Sequence, residues 1–226
     1  MPVSHERPTT GAVAKAVGWV TFLEVIRDRV LYNIILCCFL LFGVGLLASY
    51  LTFIRPERVI LDFGLSAVAI SCAMIAIFTG SSLLGKEFER RTIYVALCHP
   101  ISRAQFILGK FVGLGSVIGL NWLLLSVCYL ALLGITADKL TDVFSFTLFI
   151  ALFLVLIQSL VIASIAIFFS TFSTTSLSAM LTIGLYLIGN NISQIKLMAT
   201  KLKSPVETYL LDALATVLPN FEHFNF

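Results

Sequence analysis

LGKEFERRTIYVALCHPISRAQFILGK, Leu84 to Lys110, is the longest polar interruption between the long apolar runs of a 226-residue chain. It is bracketed by two Leu-Gly-Lys triplets, Leu84-Gly85-Lys86 and Leu108-Gly109-Lys110, each where apolar sequence meets charge. The chain around it is 59% hydrophobic and only 12% charged, with a mean hydropathy of +1.02. Those values exclude an ordinary soluble domain and define an integral membrane protein. The net charge of +3 is too small to imply nucleic acid as a partner, so the position of the charges carries the information.

On the N-terminal side, residues 1–29 read as a cytosolic tail followed by an interfacial helix. Trp19, Phe22, Leu23, Ile26 and Val30 recur at helical spacing, with Thr21, Glu24 and Asp28 on another face. The transmembrane domain covers 30–189, its last span running slightly past that limit, with spans at about 30–54, 64–84, 107–135, 143–170 and 176–193. The first of these has about 25 uncharged residues, more than the ~20 needed to cross a bilayer. It is too long for a signal-peptide core and follows a charged segment, so it is expected to remain as a spanning helix. Residues 55–62 form an expected outer connector. Residues 190–226 are expected outside, ending in the aromatic-rich LPNFEHFNF, which has the character of a segment leading into a further span.

Lysine and arginine counts orient the chain. With the N-terminus inside, the cytosolic segments hold nine: Arg7, Lys15, Arg27, Arg29, Lys86, Arg90, Arg91, Arg103 and Lys110. The outer segments hold six: Arg55, Arg58, Lys139, Lys196, Lys201 and Lys203. This places the N-terminus in the cytosol, and Lys86 and Lys110 are expected to snorkel to the headgroups.

None of the five apolar runs at the heart of these spans, 30–54, 64–84, 111–135, 143–170 and 176–189, contains Asp, Glu, Lys, Arg or His. Coupled secondary carriers depend on such groups at membrane depth, so any uphill transport is expected to draw its energy from elsewhere. Asn121 and Gln158 are the amides deepest in the runs. Interhelical hydrogen bonding worth about 1 kcal/mol accounts for them, and a place on a substrate path is the alternative. Gly109 with Gly113, and Gly115 with Gly119, are small residues four apart that admit a close helix neighbour, either within one subunit or across a dimer. Cys37, Cys38, Cys72 and Cys128 lie in apolar runs and Cys98 in the polar stretch, so they read as small hydrophobes. The three histidines are scattered and give no metal site.

Gly80-Ser-Ser-Leu-Leu-Gly85-Lys86 matches the first seven positions of a nucleotide-binding P-loop. The eighth is Glu87, where Ser or Thr should hold magnesium. A P-loop also joins a strand to a helix, whereas this sequence closes a membrane span, so nucleotide binding here is not expected.

Inside the polar stretch, a helix from Lys86 to Leu97 would carry Glu87, Arg90, Arg91 and Tyr94 on one arc and Phe88, Thr92, Val95 and Ala96 on the other. Glu87 and Arg91 form an i,i+4 pair worth about 0.3 kcal/mol. Pro100 stops that helix, and Ser102-Arg-Ala-Gln105 is a capping box that opens the next. Simple anchoring of span ends needs neither the acidic residues nor a stop and a capped restart.

The pattern Glu87-x-Glu-x-Arg-Thr92-Ile, then Leu97-x-x-Pro100-Ile-Ser-Arg103, then Leu108-Gly-Lys110-Phe-x-Gly113 resembles the membrane (permease) subunit of ATP-binding cassette type-2 exporters. The closing Leu218-Pro-Asn-Phe-Glu-x-Phe-Asn225 is similar to the segment before the last span in that family. The resemblance implies an all-α membrane protein of six spans, of which five are visible and the last is missing. It implies pairing with a second permease subunit, as homo- or heterodimer, and with a cytosolic ATP-binding cassette ATPase. Residues 86–105 would then be the coupling helix, with Glu87, Glu89, Arg90, Arg91 and Thr92 docking on the ATPase and Pro100, Ser102 and Arg103 bracing them. No cofactor is expected on this chain, since ATP and magnesium would belong to the partner. The expected setting is the plasma membrane, among lipids. The expectation is therefore a transport subunit without its own ATPase site. A non-transporting membrane scaffold that recruits a cytosolic partner through 86–105 is the alternative.

Overall fold

The computed structural model describes residues 10–25, 56–89, 103–136 and 146–191, with a few positions between 36 and 47. Among these residues all regular structure is helical: α1 (Thr10–Val25), α2 (Pro56–Glu89), α3 (Arg103–Thr136), α4 (Phe146–Ser170) and α5 (Thr175–Asn190). Leu61–Leu83, Ala104–Gly134 and Phe146–Ser170 are long and apolar enough to cross a bilayer, and α5 is a shorter apolar helix. The chain is thus an all-α membrane protein. The expected first span and residues 192–226 fall almost wholly outside the described residues.

The 34 residues of α2 give a helix of about 51 Å, well beyond a hydrocarbon core of about 30 Å. Two expectations change here. Residues 56–62, taken for a connector, are the first turns of α2, and Lys86–Glu89 continue the same helix instead of opening a separate one. Pro56 explains the early start, because its fixed φ suits the first helical position and its missing N–H is one that no helix partner needs. Helix α3 opens at Arg103.

Contacts fix the topology. Helices α2 and α3 run antiparallel: the Tyr129 hydroxyl donates to the Leu61 carbonyl at 3.0 Å, and Asn121 reaches Ser71 at 3.4 Å. Helix α4 returns alongside α2, with Ala166 against Gly80 and the Ser170 hydroxyl donating to the Ser81 carbonyl at 2.8 Å. It also lies antiparallel to α3, where the Trp122 indole N–H donates to the Leu152 carbonyl at 2.8 Å. Helix α5 folds back on α4 after the turn 171–174 and rests on the end of α2.

Two apolar clusters fill the bundle. One lies towards the excursion and includes Ile77, Leu114, Ile118, Ile162 and Ile167. The other lies towards the opposite end and includes Val68, Leu125, Tyr129, Leu152 and Val155. Several hydroxyls are satisfied within their own helix, Ser81 donating to Ile77, Ser159 to Val155 and Thr182 to Ser178 one turn back. This lets polar residues sit at membrane depth without leaving a donor exposed to lipid.

At the far end, a Cβ on Gly64 would enter the ring of fully buried Tyr129. Gly119 has nothing within 4 Å of such an atom. Gly64→Ala is therefore expected to cost about 1–3 kcal/mol through overpacking, while Gly119→Ala is expected to be neutral or to gain up to about 1 kcal/mol of helix propensity. Thermal unfolding of the purified protein in detergent separates the two.

Candidate functional site at the two feet of the polar excursion

The excursion leaves the bundle at the end of α2 and rejoins it at the start of α3, and both attachment points are glycine contacts. At the entry foot, a Cβ on Gly85 would collide with the Thr175 hydroxyl of α5. One turn earlier, a Cβ on Gly80 would come within 2.8 Å of the Ala166 Cβ of α4. The Ser178 hydroxyl donates to the Ala166 carbonyl at 3.2 Å, which ties α5 to α4 beside the same contact. The turn between α4 and α5 is thereby seated on the root of the excursion.

The exit foot is held by α1. This helix crosses α3 where Gly109 and Gly113 leave a notch: a Cβ on Gly18 would lie 3.3 Å from the Gly109 carbonyl oxygen, and a Cβ on Gly113 would lie 2.7 Å from the Gly18 carbonyl oxygen. Thr21 fills the remaining space over Gly113 and is itself fully buried. Its hydroxyl donates to the Val17 carbonyl at 2.9 Å. Lys110 sits under the crossing, 3.6 Å from a Glu24 carboxylate oxygen and 5.8 Å from the centre of the Phe106 ring. Its side chain is nearly inaccessible, so the headgroup snorkelling expected from sequence does not occur. The ammonium is held instead by a carboxylate and an aromatic face, which replace the water it has lost.

The face of α1 that packs inward is made of its small residues. Gly18 and Thr21 are buried, while Trp19 and Val20 are 62% and 64% exposed and Leu23 is exposed beside them. Close backbone approach selects small residues for the contact, as between helices in lipid.

Other residues singled out in the sequence are placed as follows. Glu87 and Glu89 lie in the last turn of α2, and Arg103 opens α3. Arg90, Arg91, Thr92, Pro100 and Ser102 lie outside the described residues. A Cβ on Gly115 would rest 3.3 Å from Leu160 of α4. Asn121 and Gln158 occupy one level, where the two apolar clusters meet. The Asn121 amide donates to Ser71 Oγ and approaches Cys72 Sγ, both at 3.4 Å. Asn121 Oδ1 and Gln158 Oε1 are buried without partners, so the two amides do not bond each other through these oxygens.

The P-loop-like run Gly80–Lys86 lies wholly inside α2. Its backbone N–H groups are spent on helix hydrogen bonds and cannot cradle a phosphate. Its two glycines are packing contacts to α4 and α5. Sequence reasoning missed Gly18, Thr21, Glu24 and Thr175 as members of the site. Glycine in a helix interior costs about 1 kcal/mol against alanine and so marks a packing reason, which was the available signal at Gly18 and Gly85.

Residues 19–219 match the family described as ABC-2 family transporter protein. The chain belongs to the ABC-2 transporter family. No curated protein is a match to it. The family match spans α2 to α5 and the last seven residues of α1, so the contacts at both feet, Gly18 apart, lie within the part of the chain that matches the family. The apolar helices and the family together make this a multi-pass membrane transport subunit.

Two outcomes follow from the buried polar groups. Glu24→Gln leaves the Lys110 ammonium without its carboxylate and is expected to cost about 1–3 kcal/mol. Lys110→Met leaves a half-exposed Glu24 that water can reach and is expected to cost under about 1 kcal/mol. Melting temperatures in detergent should rank the variants in that order. Gln158→Met removes an unpartnered buried oxygen in a side chain of similar length, and stability in the same assay should be unchanged or higher by about 1 kcal/mol.

Proposed function

We propose that this ABC-2 subunit is the membrane half of an ATP-driven exporter, and that residues 86–105 dock on a separate cytosolic ATPase and pass its movement to the bundle. The observation that carries this reading is the gripping of both feet of the excursion by other helices. Gly85 is seated under Thr175, and Gly109 with Gly113 under Gly18 and Thr21. A displacement of the excursion would reach α4 and α5 through the first contact and α1 through the second. The unbroken helices α2 and α3 would carry it on across the membrane.

In this reading the excursion faces the cytosol, as does the N-terminus, and the membrane is the plasma membrane. Glu87, Glu89, Arg90, Arg91 and Thr92 meet the ATPase, while Pro100, Ser102 and Arg103 set the turn that presents them. ATP and its magnesium ion belong to the ATPase. The outward apolar faces of α3 and α4, including Leu123, Val127, Phe149 and Phe153, meet lipid or a second permease subunit, and the transport path forms between the two subunits.

The docking assignment is tested by co-purifying the chain with its ATPase and measuring ATP hydrolysis by the complex. The double reversal Glu87→Lys with Arg91→Glu keeps opposite charges four residues apart in the sequence but inverts the charges offered to a partner. Recovery of the complex is expected to fall about tenfold, equivalent to about 1.4 kcal/mol of binding. Undiminished complex and undiminished stimulated hydrolysis would remove these residues from the interface.

A further inference from the structure

Beside the crossing of α1 and α3 runs a groove of about 260 Å³ lined by Gly18, Trp19, Phe22, Val112 and Ser116. We propose that it is a binding site for one acyl chain of a membrane phospholipid.

The chemistry of the walls selects hydrocarbon. The Trp19 and Phe22 rings stack with centroids 5.7 Å apart, and Val112 faces them across the groove. Ser116 supplies the polar side chain of the lining, and its hydroxyl is already spent on the Val112 carbonyl at 2.8 Å. Besides Ser116 the lining side chains carry only the Trp19 indole N–H as a polar group, so a peptide or a headgroup would lose its water there for little return. An acyl chain loses nothing.

The surroundings indicate where the chain comes from. Val112 and Ser116 belong to the membrane-crossing part of α3. The groove opens onto a stripe of exposed apolar residues on that helix, Leu108 and Val112 before Ser116 and Leu120 after it, with Leu123 and Val127 continuing it. Helix α1 turns its small residues inward and its large apolar residues outward, the arrangement favoured in lipid and costly in water. The groove is therefore a recess in a surface that already meets acyl chains, and its glycine floor at Gly18 is what makes room for one.

Trp19 forms a wall of the groove, and the sequence holds only two tryptophans, which permits an optical test. Phosphatidylcholine brominated at the middle of one acyl chain is titrated into the full chain in detergent, and tryptophan emission is recorded for the native protein and for Trp19→Phe. The difference between them reports Trp19. Saturable quenching with about one lipid per chain is expected. It should weaken at least fivefold in Ser116→Phe and in Val112→Phe, each of which fills the groove, while melting temperatures confirm that the variants are folded. Native mass spectrometry of the unmutated chain, independent of the variants, should show one retained phospholipid. Quenching of Trp19 that rises linearly without saturation, or is equal in the filled variants, would reduce the groove to ordinary lipid contact and overturn the proposal. Trp19 shielded from bromine in a chain that cross-links to a second copy through this face would overturn it in favour of a dimer contact.

Discussion

Close approach of helix backbones at a handful of glycines is the constraint on which this structure depends. In lipid there is little hydrophobic gain from bringing apolar helices together, so packing contacts and a few polar links must hold them. Gly64 receives the Tyr129 ring, Gly80 meets Ala166, Gly85 meets Thr175, and Gly113 meets Gly18 and Thr21. Each contact joins a different pair of helices, and together they hold α1 to α5 as one bundle. A side chain at any of them would push a helix outward and loosen neighbouring contacts. The serine and threonine hydroxyls play a supporting part, bonding within their own helix or to a neighbour's carbonyl.

The glycine contacts fall where a mechanical role would need them. Two bracket the polar excursion, one at each Leu-Gly-Lys triplet, and so the repeated triplet has a structural meaning. Its glycine accepts a neighbouring helix at the point where the chain leaves or re-enters the bundle. The residues after the two glycines differ in fate. The lysine of the second triplet is sealed beneath α1 with Glu24 and Phe106, while the first triplet ends within the last turns of α2.

Much of the fold was legible because its signals are long and uniform. Uncharged runs of membrane length gave the spans that became α2, α3 and α4, and the Ser102 to Gln105 capping pattern indicated a helix beginning at Arg103, where α3 starts. The start of α2 was misread because Arg55, Glu57, Arg58 and Asp62 resemble a loop by composition, although Pro56 followed by Glu57 is itself a helix-start signal. That Gly18 and Thr21 would meet α3 was not legible from periodicity, because between helices in lipid small size decides what packs. The burial of Lys110 lay beyond local sequence altogether, because its carboxylate comes from α1, far earlier in the chain. The docking surface remains a reading of Glu87 to Arg103 from sequence and family membership.

The crossing of α1 over α3 also sets an order of events during biosynthesis. Gly18 and Glu24 are synthesised about 90 residues before Gly109 and Lys110, a delay of roughly 5–18 s at ordinary elongation rates. Throughout that interval α1 has no notch to enter and Glu24 has no ammonium beside it. Its placement therefore waits for insertion of α3, and anything that slows that insertion prolongs the exposure of Trp19, Val20 and Leu23 to chaperones and proteases. Helix α1 is thus made well before the helix that seats it.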